Sequence, residues 1–138
     1  MKTFTAYVDG ASRGNPGHAG IGVAIYDDAG ISIKSISKYI GKTTNNVAEY
    51  TAFVTAIEES VKLGADVLKI YLDSELVYKQ YIGLYRTKDE NLKMLLTRAR
   101  QSGKLLKDLI VHHIPREKNK EADKLSNIAV NIGETEGG

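Results

Sequence analysis

The sequence has no cysteine and no tryptophan, only two prolines, and no long apolar run. Without cysteine there can be no disulfide and no thiolate metal site, so any metal must be held by oxygen or histidine ligands. That usage fits a reducing compartment, and a cytoplasmic protein is expected. No segment reaches the length of a membrane span, and the N-terminal Met1-Lys2-Thr3-Phe4-Thr5-Ala6 lacks the apolar core of a secretion signal. No membrane partner is therefore expected. Also missing are a Gly-x-Ser-x-Gly elbow, a Walker loop and a histidine-rich metal motif, which removes the commonest competing chemistries.

What is present is an ordinary globular balance: 138 residues, 42% hydrophobic and 26% charged. That length suits one domain with one core, expected over residues 1–132, with a frayed tail from Gly133 to Gly138. A net charge of +2 is too small to announce a nucleic-acid partner, and it does not exclude one.

Periodicity divides the chain into alternating elements. Thr3 to Val8 alternates as a strand, with Asp9 at its end, and the small residues from Gly10 to Gly20 read as a turn. Gly20 to Tyr26 and Ile31 to Ile40 read as two further strands around the hairpin turn Asp27-Asp28-Ala29-Gly30. In the last of these, Ile31, Ile33, Ser35, Ser37 and Tyr39 share one side. The period then lengthens: Val47, Tyr50, Val54, Ile57 and Val61 mark a helix that stops at Leu63-Gly64. A strand follows over Val67–Leu72, helices over Ser74–Tyr81 and Glu90–Gln101, a strand over Leu109–Ile114 and a helix over Glu121–Val130. The order β-β-β-α-β-α-α-β-α predicts an α/β fold. Its mixed sheet has five strands, three antiparallel and two parallel, flanked by helices.

Four acids stand at element ends, and each has a plain structural reading as well as a functional one. Asp9 heads an Asp-Gly pair that suits a turn. Glu49 lies in the first turn of the first helix, beside Phe53 and Ala56 on the flank of the apolar face, and Asn46 with Glu49 fits a capping box. Asp73 ends a strand and precedes a helix, where it can serve as an N-cap. Asp123 suits the dipole at the start of the last helix. Jointly they say more. Strand ends and helix starts of a layered α/β domain can converge on one sheet edge, where ligand sites of open sheets lie. Clustered carboxylates repel one another, and a hard divalent cation such as Mg²⁺ relieves that repulsion. Two such ions suit phosphodiester cleavage.

In their order along the chain, four motifs resemble those of the type 1 ribonucleases H: Asp9-Gly10-Ala11-Ser12-Arg13-Gly14-Asn15-Pro16-Gly17, Thr44-Asn45-Asn46-Val47-Ala48-Glu49-Tyr50, Leu72-Asp73-Ser74 and Asn119-Lys120-Glu121-Ala122-Asp123-Lys124-Leu125. Each is weak alone, but they fall in order, and the resemblance covers nearly the whole chain. The resemblance implies a ribonuclease H-like fold and hydrolysis of the RNA strand of an RNA/DNA hybrid, leaving 3′-hydroxyl and 5′-phosphate ends. It implies that Asp9, Glu49, Asp73 and Asp123 hold two Mg²⁺ ions, with Mn²⁺ able to substitute. Ser12, Asn15, Thr44, Asn45 and Asn46 match positions that meet the nucleic acid. Asn46 is expected to cap the helix as well. A monomer engaged in removing RNA primers and stray hybrids is the implied setting.

The chain departs from well-known members in two places. Their mobile loop carries a histidine, whereas here the loop is Pro115-Arg116-Glu117-Lys118-Asn119. This form resembles a family branch with a Pro-Arg-Glu-x-Asn loop, in which Arg116 takes the histidine's place. Arg116 stays charged, so it can meet phosphate or the leaving group but cannot act as a base. It reads equally as a solvated surface charge. His112 and His113 precede the loop, and as strand neighbours at most one can face the site. Some members also carry a basic, tryptophan-containing protrusion. Here Lys79, Arg86, Lys88, Lys93, Arg98, Arg100 and Lys104 are mixed with acids instead, which predicts modest affinity that falls with salt. Two alternatives stay open: a catalytically silent nucleic-acid-binding protein on this fold, and a nuclease acting on double-stranded RNA or on DNA.

Overall fold

The computed structural model describes residues 1–136. Five strands form one mixed sheet in the order β3-β2-β1-β4-β5. They are β1 (Thr3–Gly14), β2 (Gly17–Tyr26), β3 (Ser32–Thr43), β4 (Val67–Leu72) and β5 (Asp108–His113). The first three pair antiparallel, while β4 lies parallel to both β1 and β5. The helices are α1 (Asn45–Lys62), α2 (Glu75–Tyr81), α3 (Glu90–Gly103) and α4 (Lys120–Glu136), and a single 3-10 turn covers Arg116–Lys118. The α/β fold expected from the alternating periods is the fold observed.

The two sheet faces differ. Phe4, Ala6, Val8, Ile21, Val23, Ile25, Leu68, Ile70 and Leu72 point to one side, where they bury against Phe53, Val54 and Ile57 of α1 and Leu92 and Leu96 of α3. Burying side chains of this size stabilises by roughly 1.5–3 kcal/mol each, before entropy is counted. On the opposite face α4 crosses β1, β2 and β3. Beyond α4, a file of rings continues across the strands: Tyr7 stacks on Tyr71, and Tyr71 on His112.

Three sequence-based expectations change. The stretch from Gly10 to Gly20 is almost all strand. β1 runs to Gly14, β2 begins at Gly17, and only Asn15 and the cis-linked Pro16 turn the corner. Gly10 and Gly20 in this stretch, and Gly22 just beyond it, serve helix packing. A Cβ on Gly10 would lie 2.3 Å from the carbonyl carbon of Ala48 in α1, and one on Gly22 would lie 2.1 Å from the carbonyl oxygen of Ala122 in α4. Second, β3 covers Ser32–Thr43 rather than Ile31 to Ile40, so Ile31 falls before the strand and is exposed, while Ile36 and Ile40 pack against the core. Third, α4 runs on through Gly133. It continues to Glu136, because Gly133 is buried under the Tyr39 ring, and only residues 137–138 of the expected tail lie outside the described residues.

Candidate active site

The site begins at a fork in the sheet. β1 and β4 pair as far as Val8 and Leu72. There they part: β1 continues along β2, and the chain after β4 turns into α2. Asp9 and Asp73 are the first residues beyond the split. Glu49 joins them because Gly10 lets the α1 backbone touch β1, an added Cβ being 2.4 Å from the Glu49 amide nitrogen. Asp123 arrives from the other face, since Gly22, the register partner of Asp9, admits the first turn of α4.

Oxygens of Asp9, Glu49 and Asp73 lie within 4.8 Å of one another, the one group of potential metal ligands of that kind among the described residues. Asp9 and Glu49 are buried. Burial, reinforced by the Asp73 carboxylate, pushes Asp9 up to about 7. Burial, followed by repulsion from Asp9 and Asp73, holds Glu49 well above the usual carboxylate range. Such a trio is electrostatically unsatisfied without a cation. The donor set is all oxygen, which fits a hard divalent ion. Asp123 stands outside the 4.8 Å group but near enough to Asp9 to raise it further.

The structural duties open to these acids fall largely to neighbours. The N-cap of α1 is Thr44, whose Oγ1 accepts from the Val47 amide at 3.2 Å, so Asn46 is not the cap. Ser74 caps α2 in the same way, accepting from Val77 at 3.2 Å. Asp73 is thereby released from that role, and Asp9 lies within a continuing strand rather than a turn. Asp123 sits among the acids of the first turn of α4, as the dipole argument requires.

A cleft of about 420 Å³ is lined by all four acids together with Ser12, Arg13, Asn45, Arg116 and Asn127. A guanidinium nitrogen of Arg116 lies 3.8 Å from Asp123, with the arginine side chain 80% exposed. At the rim, Asn15 Oδ1 accepts from the Asn45 amide at 3.1 Å, which ties the β1–β2 corner to the start of α1. Ser12 Oγ donates to the Gly14 carbonyl. Thr44, Asn15 and Asn46 are not among the lining residues. Of the two histidines, His113 stacks on Tyr78 and places Nε2 3.3 Å from the Asp73 carbonyl, while His112 packs on Tyr71. The basic surface is partly spent within the chain: Lys79, Lys93 and Arg98 pair with Glu75, Glu90 and Glu58. A larger cleft of about 640 Å³ lies beside Tyr7 and Tyr26. Its acids form no such cluster.

Sequence reasoning gave Asn119 no role, yet it is buried at the fork. Its Nδ2 donates to the Val8 carbonyl at 2.8 Å and to Asp73 Oδ2 at 3.1 Å. Its signals in the sequence were its place at the head of the fourth motif and at the end of the Pro-Arg-Glu-x-Asn loop, directly before a helix.

The sheet order and this acid cluster define a ribonuclease H-like domain. A profile of the reverse transcriptase-like family matches residues 7–129, and the chain belongs to that family. It is 42% identical over 126 residues to the ribonuclease HI of Halobacterium salinarum, covering 91% of this chain and 63% of that protein. The chain thus spans less than two thirds of that relative. It superposes on the crystal structure of RNase H1 from the same archaeon with a TM-score of 0.91 at 38% identity, covering 94% of this chain and 98% of that one. A second solved structure is LC11-RNase H1 in complex with an RNA/DNA hybrid. It has a TM-score of 0.88 at 40% identity, with coverage of 94% and 98%.

Proposed function

We propose that the chain is a divalent-metal-dependent endonuclease that hydrolyses the RNA strand of an RNA/DNA hybrid, leaving 3′-hydroxyl and 5′-phosphate ends. The observation that carries this reading is the trio Asp9, Glu49 and Asp73 within 4.8 Å at the sheet fork. The relatives named for ribonuclease H, one of them solved on a hybrid, support the choice of substrate.

In this reading Asp9, Glu49, Asp73 and Asp123 hold two Mg²⁺ ions, for which Mn²⁺ can substitute. When bound, such ions supply a Lewis acid at the phosphate and make a water acidic enough to attack near neutral pH. The chain's own groups do the rest. The paired carboxylates fix the ligand geometry, and their elevated pKa values make them avid for a cation. Arg116 keeps its charge at any working pH and faces the negative charge that grows on the departing 3′ oxygen. Asn15, Asn45, Asn46, Thr44 and Ser12 meet sugar and phosphate groups along the rim. There, bonds to the 2′-hydroxyl separate RNA from DNA. The single domain acts as a monomer in the cytoplasm.

The test is cleavage of labelled RNA/DNA, RNA/RNA and DNA/DNA duplexes with Mg²⁺, Mn²⁺ or EDTA. Metal-dependent cutting of the hybrid, with 5′-phosphate products, is expected. Binding without cutting in either metal would sink the proposal, and cutting of RNA/RNA at a similar rate would widen the substrate class.

A further inference from the structure

The fork holds one polar side chain that the proposed chemistry leaves unused. Asn119 is 1% exposed and stands directly before α4. Its Nδ2 gives one hydrogen to the Val8 carbonyl at 2.8 Å and the other to Asp73 Oδ2 at 3.1 Å. Its own backbone carbonyl accepts from the Asp123 amide at 3.1 Å. One residue thus touches the strand that leads to Asp9, the carboxylate of Asp73 and the turn that carries Asp123.

The amide cannot be turned round. With oxygen and nitrogen exchanged, an acceptor would face two acceptors. The chosen orientation has a cost, because Oδ1 is buried without a partner among the described residues. An unmet buried acceptor gives up its bonds to water and gains none in return. A side chain kept at that cost is kept for its two donors. One closes the backbone where the strands part. The other reaches a carboxylate, and a bond to an ionised acceptor is roughly twice as strong as a neutral one. Among the described residues, no other hydrogen bond reaches the Asp73 carboxylate.

We infer that Asn119 is a positioning residue for metal capture: it fixes the rotation of the Asp73 carboxylate and the seating of Asp123 before any ion arrives. The inference rests on the metal reading above. Residues that orient metal ligands commonly change affinity 10–100-fold when removed.

Two variants of the full chain test it. Asn119→Ala removes both donors. Asn119→Leu removes them with the branched side-chain shape kept, should the smaller residue leave the chain poorly folded. Mn²⁺ affinity measured by calorimetry is expected to fall about 10-fold or more in the folded variant. Turnover should fall with it, and KM for the hybrid should stay within about 2-fold. The ¹³C carboxyl resonance of Asp73 in metal-free protein is expected to shift or broaden. Unchanged Mn²⁺ affinity and an unchanged Asp73 resonance, with only the melting temperature lowered, would reduce Asn119 to a structural residue while leaving the metal site standing. If the parent chain binds no Mn²⁺ but the Asp73 resonance moves, the metal reading fails and the positioning of Asp73 survives.

Discussion

The trio Asp9, Glu49 and Asp73 and the pair Asp123 and Arg116 line the same cleft, but they are held in different ways. The trio sits where β1, β4 and α1 meet, and its geometry is inherited from backbone contacts that leave no room for a side chain at Gly10. The pair sits at the surface, with Asp123 35% and Arg116 80% exposed, and only a 3.8 Å contact between them. An exposed pair of that kind is worth little to stability, about 0–1 kcal/mol. The contrast teaches a division of labour. The core fixes the charge that captures a cation, whereas Arg116, the most exposed of the five, is free to adjust as substrate enters and product leaves.

Four outcomes would sharpen or break this division. The largest concerns Asp9→Asn, expected to lower turnover by about 10³-fold or more, equivalent to roughly 4 kcal/mol of transition-state stabilisation. Its metal-free melting temperature at pH 8 should not fall, because the amide removes one of three repelling charges. Activity above a tenth of the parent's would take Asp9 out of the site. Asp123→Asn should cost less, about 10–100-fold in kcat, with Mn²⁺ still bound; equal losses at Asp9 and Asp123 would erase the distinction drawn here. Arg116→Ala should lower kcat about 10-fold while KM for the hybrid stays within about 2-fold. Unchanged kinetics would leave Arg116 a solvated charge.

The smallest effect is in thermal stability. Asp9 has an ordinary value of 3.8 and about 7 in the folded metal-free chain. Between those values the native state holds a proton that the unfolded state has released. Stability from this group therefore falls as pH rises through that window, and Glu49 acts in the same direction. A bound cation favours the ionised forms and reverses the loss. The rise in melting temperature on adding Mg²⁺ should thus be larger at pH 8 than at pH 5, by about 5 °C. An equal rise at both would mean that the trio does not bind the ion.

Much of this was legible in the sequence, for identifiable reasons. Apolar residues repeating at two or near 3.6 marked the strands and helices that face the core; Asp73 after β4 and Asp123 at the start of α4 followed, whereas Asp9 lies inside β1 and Glu49 beyond the first turn of α1. The failures lie where small residues carry no periodic signal. Gly10 and Gly20 look like turn residues, and Gly22 like any strand glycine, until the helices they admit are known. The capping assignments slipped by a residue or two, to Thr44 from Asn46 and to Ser74 from Asp73. Those slips hid the fact that Asp73 has no capping duty. Asn119 could not have been found locally, since both its side-chain partners lie far away in sequence, at Val8 and Asp73.

The two glycines flanking the acid trio have a consequence for directed evolution. A library randomised at positions 10 and 22 and selected for activity should return glycine alone, as sharply as one randomised at Asp9. Yet neither residue brings a side chain to metal or nucleic acid. They are spacers, each admitting a helix whose backbone would otherwise lie 2.3 Å or 2.1 Å from an added Cβ. Mutational intolerance in this fold therefore records the gap between layers as faithfully as it records catalysis. Only an assay that separates folding from turnover can tell the two apart.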